Sequence, residues 1–154
     1  MPTPGVFIDT NLLLLLVVGS TDKAIIPKHK RLKGYTAEDY DTLLDLLDLF
    51  PQVLVTPHTL AETSNLLAQH KDPERARLFG QLRFLIHECE EVAIAGTVAS
   101  NNSAFPRLGL TDAALLELVA PETPLLTVDW GLFQQAMAIG ADAAVNFTDF
   151  RELD

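Results

Sequence analysis

The sequence predicts an α/β protein, specifically a three-layer α/β/α sandwich around a parallel sheet of four or five strands. Two observations lead to this fold class. Short apolar segments alternate along the whole chain with longer segments whose apolar residues recur at helical spacing. Predicted helices also separate the predicted strands, which must then pair in parallel through right-handed crossovers. The 154 residues, of which 48% are hydrophobic, are enough for a single domain spanning 1–154 with its own core.

The first third of the chain predicts a strand, two helices and a loop between them. Residues 5–9 are small and apolar, which predicts a buried strand, and the apolar run after them predicts a helix over 10–18. Residues 19–35 are polar and rich in lysine, so a loop or flap is expected there. Leucines at helical spacing predict a helix over 36–50, and Pro51 ends it.

The rest of the chain continues the alternation, with proline, glycine and threonine marking the boundaries. Thr56-Pro57 is typical of a helix start, with threonine as the cap and proline in the first turn. Residues 92–95 fit a strand or a helix equally well. The expected elements are a strand over 52–55, helices over 57–70 and 74–88, a turn-rich segment over 101–106, a helix capped by Thr111 that reaches Val119, a strand over 125–128, a helix over 130–139 with Gly140 as its C-cap, a strand over 143–147 and a short helix from Thr148.

The charge distribution argues against a general nucleic-acid coat protein, because the net charge is −10 and phosphate contacts need lysine and arginine. Basic residues are nevertheless concentrated in one segment, ahead of an acidic helix. This segment is either a solvated loop or a local anion-binding surface that could contact RNA phosphates. The candidate RNA-binding residues are Lys23, Lys28, Lys30, Arg31 and Lys33.

The sequence fits a protein of the reducing cytoplasm. Cys89 is the only cysteine, so no internal disulfide can form. The longest apolar run, Leu12 to Val18, is far shorter than the roughly 20 residues of a membrane span. We also find no signal-peptide pattern, and therefore expect a cytoplasmic protein without a membrane partner.

Four carboxylates from separate segments could meet at one edge of the sheet. Asp9 and Asp129 each end a predicted strand, and parallel strands direct their carboxyl ends to the same edge. If the two strands are neighbours, their ends lie about 5 Å apart. Asp112 lies in the first turn of its helix, and Glu62 lies about one and a half turns into the helix after the second strand. Taken singly, each could instead cap a helix, complement its dipole or face solvent.

Clustered carboxylates repel one another and raise each other's pKa unless a cation is present. A site made only of oxygen atoms suits Mg²⁺ or Mn²⁺ and does not suit zinc. The histidines show no metal-ligand spacing, and we interpret them as surface or capping residues. They are His29, His58, His70 and His87.

The same four segments resemble the motifs of the PIN-domain nucleases, and they occur in the order found in that family. The resembling segments are Phe7-Ile8-Asp9-Thr10-Asn11, Pro57-His58-Thr59-Leu60-Ala61-Glu62, Leu110-Thr111-Asp112-Ala113 and Leu126-Thr127-Val128-Asp129. The resemblance implies a PIN-like fold and a metal-dependent ribonuclease. In it, Asp9, Glu62, Asp112 and Asp129 would hold Mg²⁺ or Mn²⁺ and catalyse phosphodiester hydrolysis, and Asn11 and Thr127 would orient the site. It also implies a frequent role as a VapC-type toxin with an antitoxin partner, and frequent homodimers.

The chain departs from the family pattern after the fourth motif. Many members carry a further acidic residue there, but Asp129 is followed by Trp130-Gly131-Leu132-Phe133, which puts a tightly held second metal in doubt. A non-catalytic PIN-like module that binds RNA or a protein partner is therefore an alternative. A receiver domain would need a lysine after a late strand, and none follows Lys71. A phosphatase of the haloacid-dehalogenase type would need Asp-x-Asp where this chain has Asp9-Thr10-Asn11.

Overall fold

A computed structural model describes residues 4–151 and contains a single five-stranded sheet whose strands are all parallel. The fold class predicted from the sequence is confirmed, with five strands as the outcome. The strand order is β3-β2-β1-β4-β5, so the chain starts in the middle of the sheet and builds outwards on both sides. The strands are β1 Val6–Ile8, β2 Val53–Val55, β3 Glu90–Glu91, β4 Leu125–Thr127 and β5 Ala144–Asn146.

Helices cover both faces of this sheet and connect its strands. Most follow the sequence prediction to within a few residues, and the helix over 130–139 has the predicted ends. The α-helices are α1 Thr10–Thr21, α2 Ala37–Leu47, α3 Pro57–Leu67, α4 Glu74–Glu88, α5 Gly96–Ala99, α6 Phe105–Leu108, α7 Leu110–Leu118 and α8 Trp130–Ile139. Short 3₁₀ helices span Lys23–Lys28, Lys30–Leu32, Ala141–Ala143 and Phe147–Phe150. Among the described residues, no helix is both long and apolar enough to cross a membrane.

The alternation of side chains along β1 divides the core into two layers. Val6 and Ile8 point to one face of the sheet, where α1 to α4 supply most of the packing. Phe7 points to the other face and packs with residues of α7 and α8, among them Leu115 and Leu132. All three β1 side chains are fully buried, which explains why this central strand has no polar residue before Asp9.

The prediction of a loop over 19–35 was wrong. Helix α1 continues to Thr21, and two 3₁₀ helices follow it. Ile25, Ile26 and Leu32 are buried in the core, so three apolar residues anchor a segment whose other residues are mostly polar. The anchoring fixes the path of the basic residues, which would otherwise be free to move with a loop.

The undecided segment 92–95 is neither strand nor helix. The additional strand, β3, comes directly before it and consists of two glutamates at the edge of the sheet. The Val92 N–H still donates to the Val55 carbonyl at 2.8 Å, which extends the contact with β2 by one residue. Two adjacent acidic residues are not typical of a strand, so β3 was not predicted.

Candidate active site

The four acidic residues singled out in the sequence line one pocket at the carboxyl edge of the sheet. The pocket has a volume of about 170 Å³. Strands β1 and β4 are neighbours, with Ile8 opposite Leu126, so the residues that follow them meet at this edge. The pocket is lined by Asp9, Thr10, Asn11, Arg31, Glu62, Asp112, Asp129 and Leu132.

Asp9 is the most enclosed of the four carboxylates. It follows β1, caps helix α1 and accepts a hydrogen bond from the Leu12 N–H at 3.1 Å. Its other carboxylate oxygen accepts a hydrogen bond from the Thr127 hydroxyl. Burial raises the pKa of Asp9 to about 6 and the negative charge of Asp129 adds to this, although hydrogen bonds to the carboxylate oppose both.

Thr127 connects the first and the last of the acidic segments. This residue ends β4 and is fully buried. Its hydroxyl donates to Asp9 and accepts from the Asp129 N–H at 3.0 Å. The exposed Asp129 in turn caps α8, where its carboxylate accepts from the Leu132 N–H at 2.9 Å. One hydroxyl therefore fixes the orientation of Asp9 and the backbone that carries Asp129.

Glu62 is held by two hydroxyl groups from different segments. The Thr10 hydroxyl donates to one carboxylate oxygen at 3.0 Å, and the Thr111 hydroxyl donates to the other at 2.5 Å. The expectation that Thr111 caps its helix was wrong. Helix α7 begins two residues earlier than expected, at Leu110 after Gly109, whose φ of 88° is in the left-handed region that glycine adopts most easily. Thr111 is therefore inside the first turn, and its hydroxyl is directed to Glu62.

Asp112 is a half-buried carboxylate with a raised pKa. It lies in the first turn of α7, as predicted. Burial raises its pKa to about 7, and the charges of Asp129, Asp9 and Glu62 contribute to the shift. Burial and the nearby carboxylates therefore both favour the protonated form of Asp112.

Asn11 also lines the pocket. Its carboxamide oxygen is buried and has no hydrogen-bond partner among the described residues. A buried acceptor without a partner is costly, and such groups are usually satisfied by water, an ion or a ligand. The chemistry of the pocket therefore fits a hard cation, because its available donors are carboxylate, carboxamide and hydroxyl oxygens.

All four carboxylates line the pocket, but they do not converge on one position for a metal ion. Within residues 4–151, no three acidic, histidine or cysteine side chains are close enough together to hold a metal ion between them. The hydrogen bonds explain this spacing, because threonine hydroxyls hold Glu62 and Asp9 separately. Magnesium commonly keeps several of its waters when it binds to a protein, so carboxylates at this spacing can contact a hydrated ion through water.

The five basic residues of the predicted anion-binding segment do not form one surface. Arg31 lines the carboxylate pocket, and Lys28 and Lys30 line a separate cleft of about 410 Å³. Lys23 forms an ion pair with Asp41 at 2.8 Å. Lys33 follows the second 3₁₀ helix and is exposed.

Three of the four histidines have local structural contacts. His29 is buried and caps the second 3₁₀ helix, and its ring lies 4.9 Å from that of His70, which pairs with Glu74 at 2.7 Å. His87 contacts the carbonyl of Arg83 in its own helix. His29 was predicted to be a surface or capping residue; it caps a helix but is not on the surface.

Sequence reasoning did not identify the hydroxyls of Thr10 and Thr111 as partners of Glu62. Thr10 is adjacent to Asp9, and Thr111 is adjacent to Asp112, so each was seen only as part of a motif or as a cap. A signal was available, since a threonine next to an acidic residue of a site is a common hydrogen-bond donor to a neighbouring carboxylate.

Comparison with protein-family models and with curated proteins gives no match for this chain. The resemblance to PIN-domain nucleases therefore depends on the four motifs and stays a prediction.

Proposed function

We propose that this chain is a metal-dependent ribonuclease of the PIN-domain type. The observation that carries the proposal is that Asp9, Glu62, Asp112 and Asp129 line one pocket although they come from four distant segments. Burial raises the pKa values of Asp9 and Asp112, and the neighbouring carboxylates add to both shifts, so the ionised forms are disfavoured without a cation. A fold that needed only helix caps or surface charges would have no reason to bring all four together.

The residues present fit a divalent cation. Mg²⁺ or Mn²⁺ would be held by the four carboxylates, directly or through water, and the Asn11 oxygen is available as a further acceptor. When bound, such a cation neutralises charge on a phosphodiester and lowers the pKa of water, which are the requirements for hydrolysis near neutral pH. No cysteine or serine nucleophile is required for this chemistry.

The chain's own side chains orient the site and bind the phosphate. Thr127 holds one oxygen of Asp9 and the backbone of Asp129, and hydroxyl groups hold both oxygens of Glu62. Arg31 is the only cationic side chain that lines the pocket within residues 4–151. Its guanidinium can form two parallel hydrogen bonds to a phosphate, which would position an RNA backbone against the carboxylates.

The second basic cleft supports a longer contact with RNA. Lys28 and Lys30 line it. Lys30 directly precedes Arg31 in the chain, and Lys28 lies two residues before Lys30. They could contact phosphates further along the strand from the one that Arg31 contacts. Lys23 is less suited to this role because Asp41 already neutralises it.

The decisive experiment is cleavage of a panel of single-stranded RNAs by wild type and Asp9→Asn, with Mg²⁺, with Mn²⁺ and with a chelator. We expect wild type to cleave only with a divalent cation, and Asp9→Asn to lose at least two orders of magnitude in rate, in line with the loss of a key electrostatic group. Asp45→Asn, which changes an exposed aspartate of α2 outside the pocket, is the matched control and should cleave like wild type.

Two outcomes would overturn the proposal. Equal cleavage by wild type and Asp9→Asn would show that a contaminating nuclease is responsible. Absence of cleavage by wild type with Mn²⁺ would favour the alternative, a PIN-like module that binds RNA or protein without catalysis.

A parallel panel of single-stranded DNA tests whether RNA is preferred. The homodimer and the antitoxin partner stay predictions.

A further inference from the structure

The only tryptophan of the chain is adjacent in sequence to a carboxylate of the pocket, and its side chain is exposed to solvent. Trp130 is the first residue of α8 and directly follows Asp129, whose carboxylate lines the pocket and caps the same helix. The side chain is 61% exposed. A tryptophan left this exposed forgoes a large stabilisation from burial, and aromatic side chains of this kind often have a binding role.

A second aromatic ring fixes the orientation of the exposed indole. Phe133 lies three residues further along α8, on the same face of the helix. The two ring centroids are 5.5 Å apart, and the ring planes differ by 29°, which is a stacked arrangement. Phe133 is half-buried, so it anchors one face of the indole and leaves the opposite face available.

The surroundings of Trp130 favour a contact that does not depend on charge. Helix α8 contains no charged residue between Trp130 and Ile139, and the chain as a whole has a net charge of −10. Helix α8 therefore offers no cationic side chain of its own to a phosphate. Stacking between a base and an aromatic ring supplies binding free energy without charge, and every nucleobase has a face that can stack.

We propose that Trp130 stacks on an unpaired nucleobase next to the scissile phosphate. This inference rests on the proposed ribonuclease function. A base in a duplex already stacks on its neighbours and is not accessible to an indole, whereas bases in loops and single strands can turn outwards. Trp130 would position the nucleotide, and the carboxylate pocket would receive the phosphate attached to it.

A protein partner is the competing explanation for an exposed aromatic residue, and Met137 allows the two to be separated. Met137 lies on the same face of α8 as Trp130 and is 40% exposed. Seven residues along a helix correspond to about 10 Å, which is beyond the reach of a base stacked on the indole. A protein surface that covered this face would contact both residues, whereas a single nucleobase would contact only Trp130.

The binding experiment uses an unlabelled single-stranded RNA of mixed sequence and the Asp9→Asn protein with Mg²⁺, so that the RNA remains intact. Because the chain has one tryptophan, its fluorescence reports directly on Trp130. We expect the RNA to quench this fluorescence in a saturable way, and a duplex of the same sequence to quench it much less. A series of RNAs with one abasic nucleotide at successive positions should show loss of quenching at a single position.

Variants then test what the contact contributes, with fluorescence anisotropy of a labelled copy of the RNA as the measure of affinity. Trp130→Ala should weaken binding about 5- to 150-fold, the range expected for loss of one stacked base, whereas Trp130→Phe should retain most of it. Met137→Ala, the matched control, should bind RNA like the parent protein. In the cleaving protein, Trp130→Ala should raise KM for single-stranded RNA by a similar factor, and circular dichroism checks that each variant folds.

The binding and cleavage results together distinguish an error in the stacking inference from an error in the proposed ribonuclease function. Cleavage by wild type with the same KM in Trp130→Ala would overturn the stacking alone. Weaker self-association of both Trp130→Ala and Met137→Ala in sedimentation, with unchanged RNA affinity, would assign the indole to a protein interface and would also overturn it. Quenching and a Trp130-dependent affinity without any cleavage would sustain the stacking and overturn the nuclease. No RNA binding and no cleavage by wild type would overturn both.

Discussion

Neutralising Asp9 should stabilise the cation-free protein at alkaline pH. The carboxylate is almost fully buried and its pKa is raised to about 6 from an ordinary value of 3.8. The difference of about two pKa units, at 1.36 kcal/mol each, corresponds to about 3 kcal/mol that the folded state loses when Asp9 ionises. Asp9→Asn removes this cost, and asparagine still caps a helix well. We therefore expect Asp9→Asn to be more stable than wild type at pH 8 by up to about 3 kcal/mol.

The size of this stabilisation should depend on pH in a defined direction. Between about pH 4 and pH 6 the folded protein keeps a proton on Asp9 that the unfolded chain has released, so wild type loses stability as the pH rises through this range. Below about pH 4 the carboxyl is neutral in both states, and the difference between the variant and wild type should close. The raised pKa of Asp112 adds to the pH dependence of both proteins, and its shift should be smaller in the variant because the charge of Asp9 contributes to it.

Thermal and urea unfolding between pH 4 and pH 8, with a chelator present, measure this effect. For a protein of this size 1 kcal/mol shifts Tm by about 2–4 °C, so the difference at pH 8 is readily detected. Asp45→Asn serves as the control because Asp45 is exposed, and it should match wild type throughout. Asp9→Asn that is less stable than wild type at pH 8, or a difference that does not change with pH, would refute the reasoning. Adding Mn²⁺ should stabilise wild type more than the variant.

Two further substitutions test individual contacts of the site. Thr127→Val keeps the shape of the side chain but removes a hydrogen bond to a charged group, worth about 1.5–3 kcal/mol. The pKa of Asp9, measured by NMR titration, should therefore rise by about one to two units. An unchanged pKa would contradict the contact. Arg31→Ala should lower kcat/KM for RNA about 10- to 100-fold, whereas Lys23→Ala should change it less than twofold because Lys23 is paired with an aspartate. Equal losses in both variants would indicate general charge attraction instead of a specific contact.

The sequence was sufficient to predict the part of the site that depends on strand ends. Asp9 and Asp129 each follow a short apolar strand, and parallel strands bring their carboxyl ends to one edge wherever they pair. The pairing of Ile8 with Leu126 then makes the two residues neighbours. Asp112 and Glu62 line the same pocket, because each lies in the first turns of a helix that begins near this edge.

The residues that sequence reasoning misplaced depend on packing between distant segments. Arg31 reaches the carboxylate pocket because Ile25, Ile26 and Leu32 are buried and fix the path of the chain around it. Three apolar residues separated by charged ones show no strand or helix periodicity, so a loop was the reasonable prediction. The edge strand β3 is formed from two glutamates, and its formation depends on the hydrogen-bonding groups that β2 offers.

The hydrogen bonds divide the pocket into two parts that should respond differently to a cation. Thr127 joins Asp9 to the backbone of Asp129, and because it is fully buried, that half is fixed before any ligand binds. Glu62 is exposed and is held only by two hydroxyl groups, so moving it towards an ion means breaking hydrogen bonds that solvent can replace. Because such exchange with water costs little free energy, we expect Glu62 to move towards a bound cation while Asp9 and Asp129 stay in place.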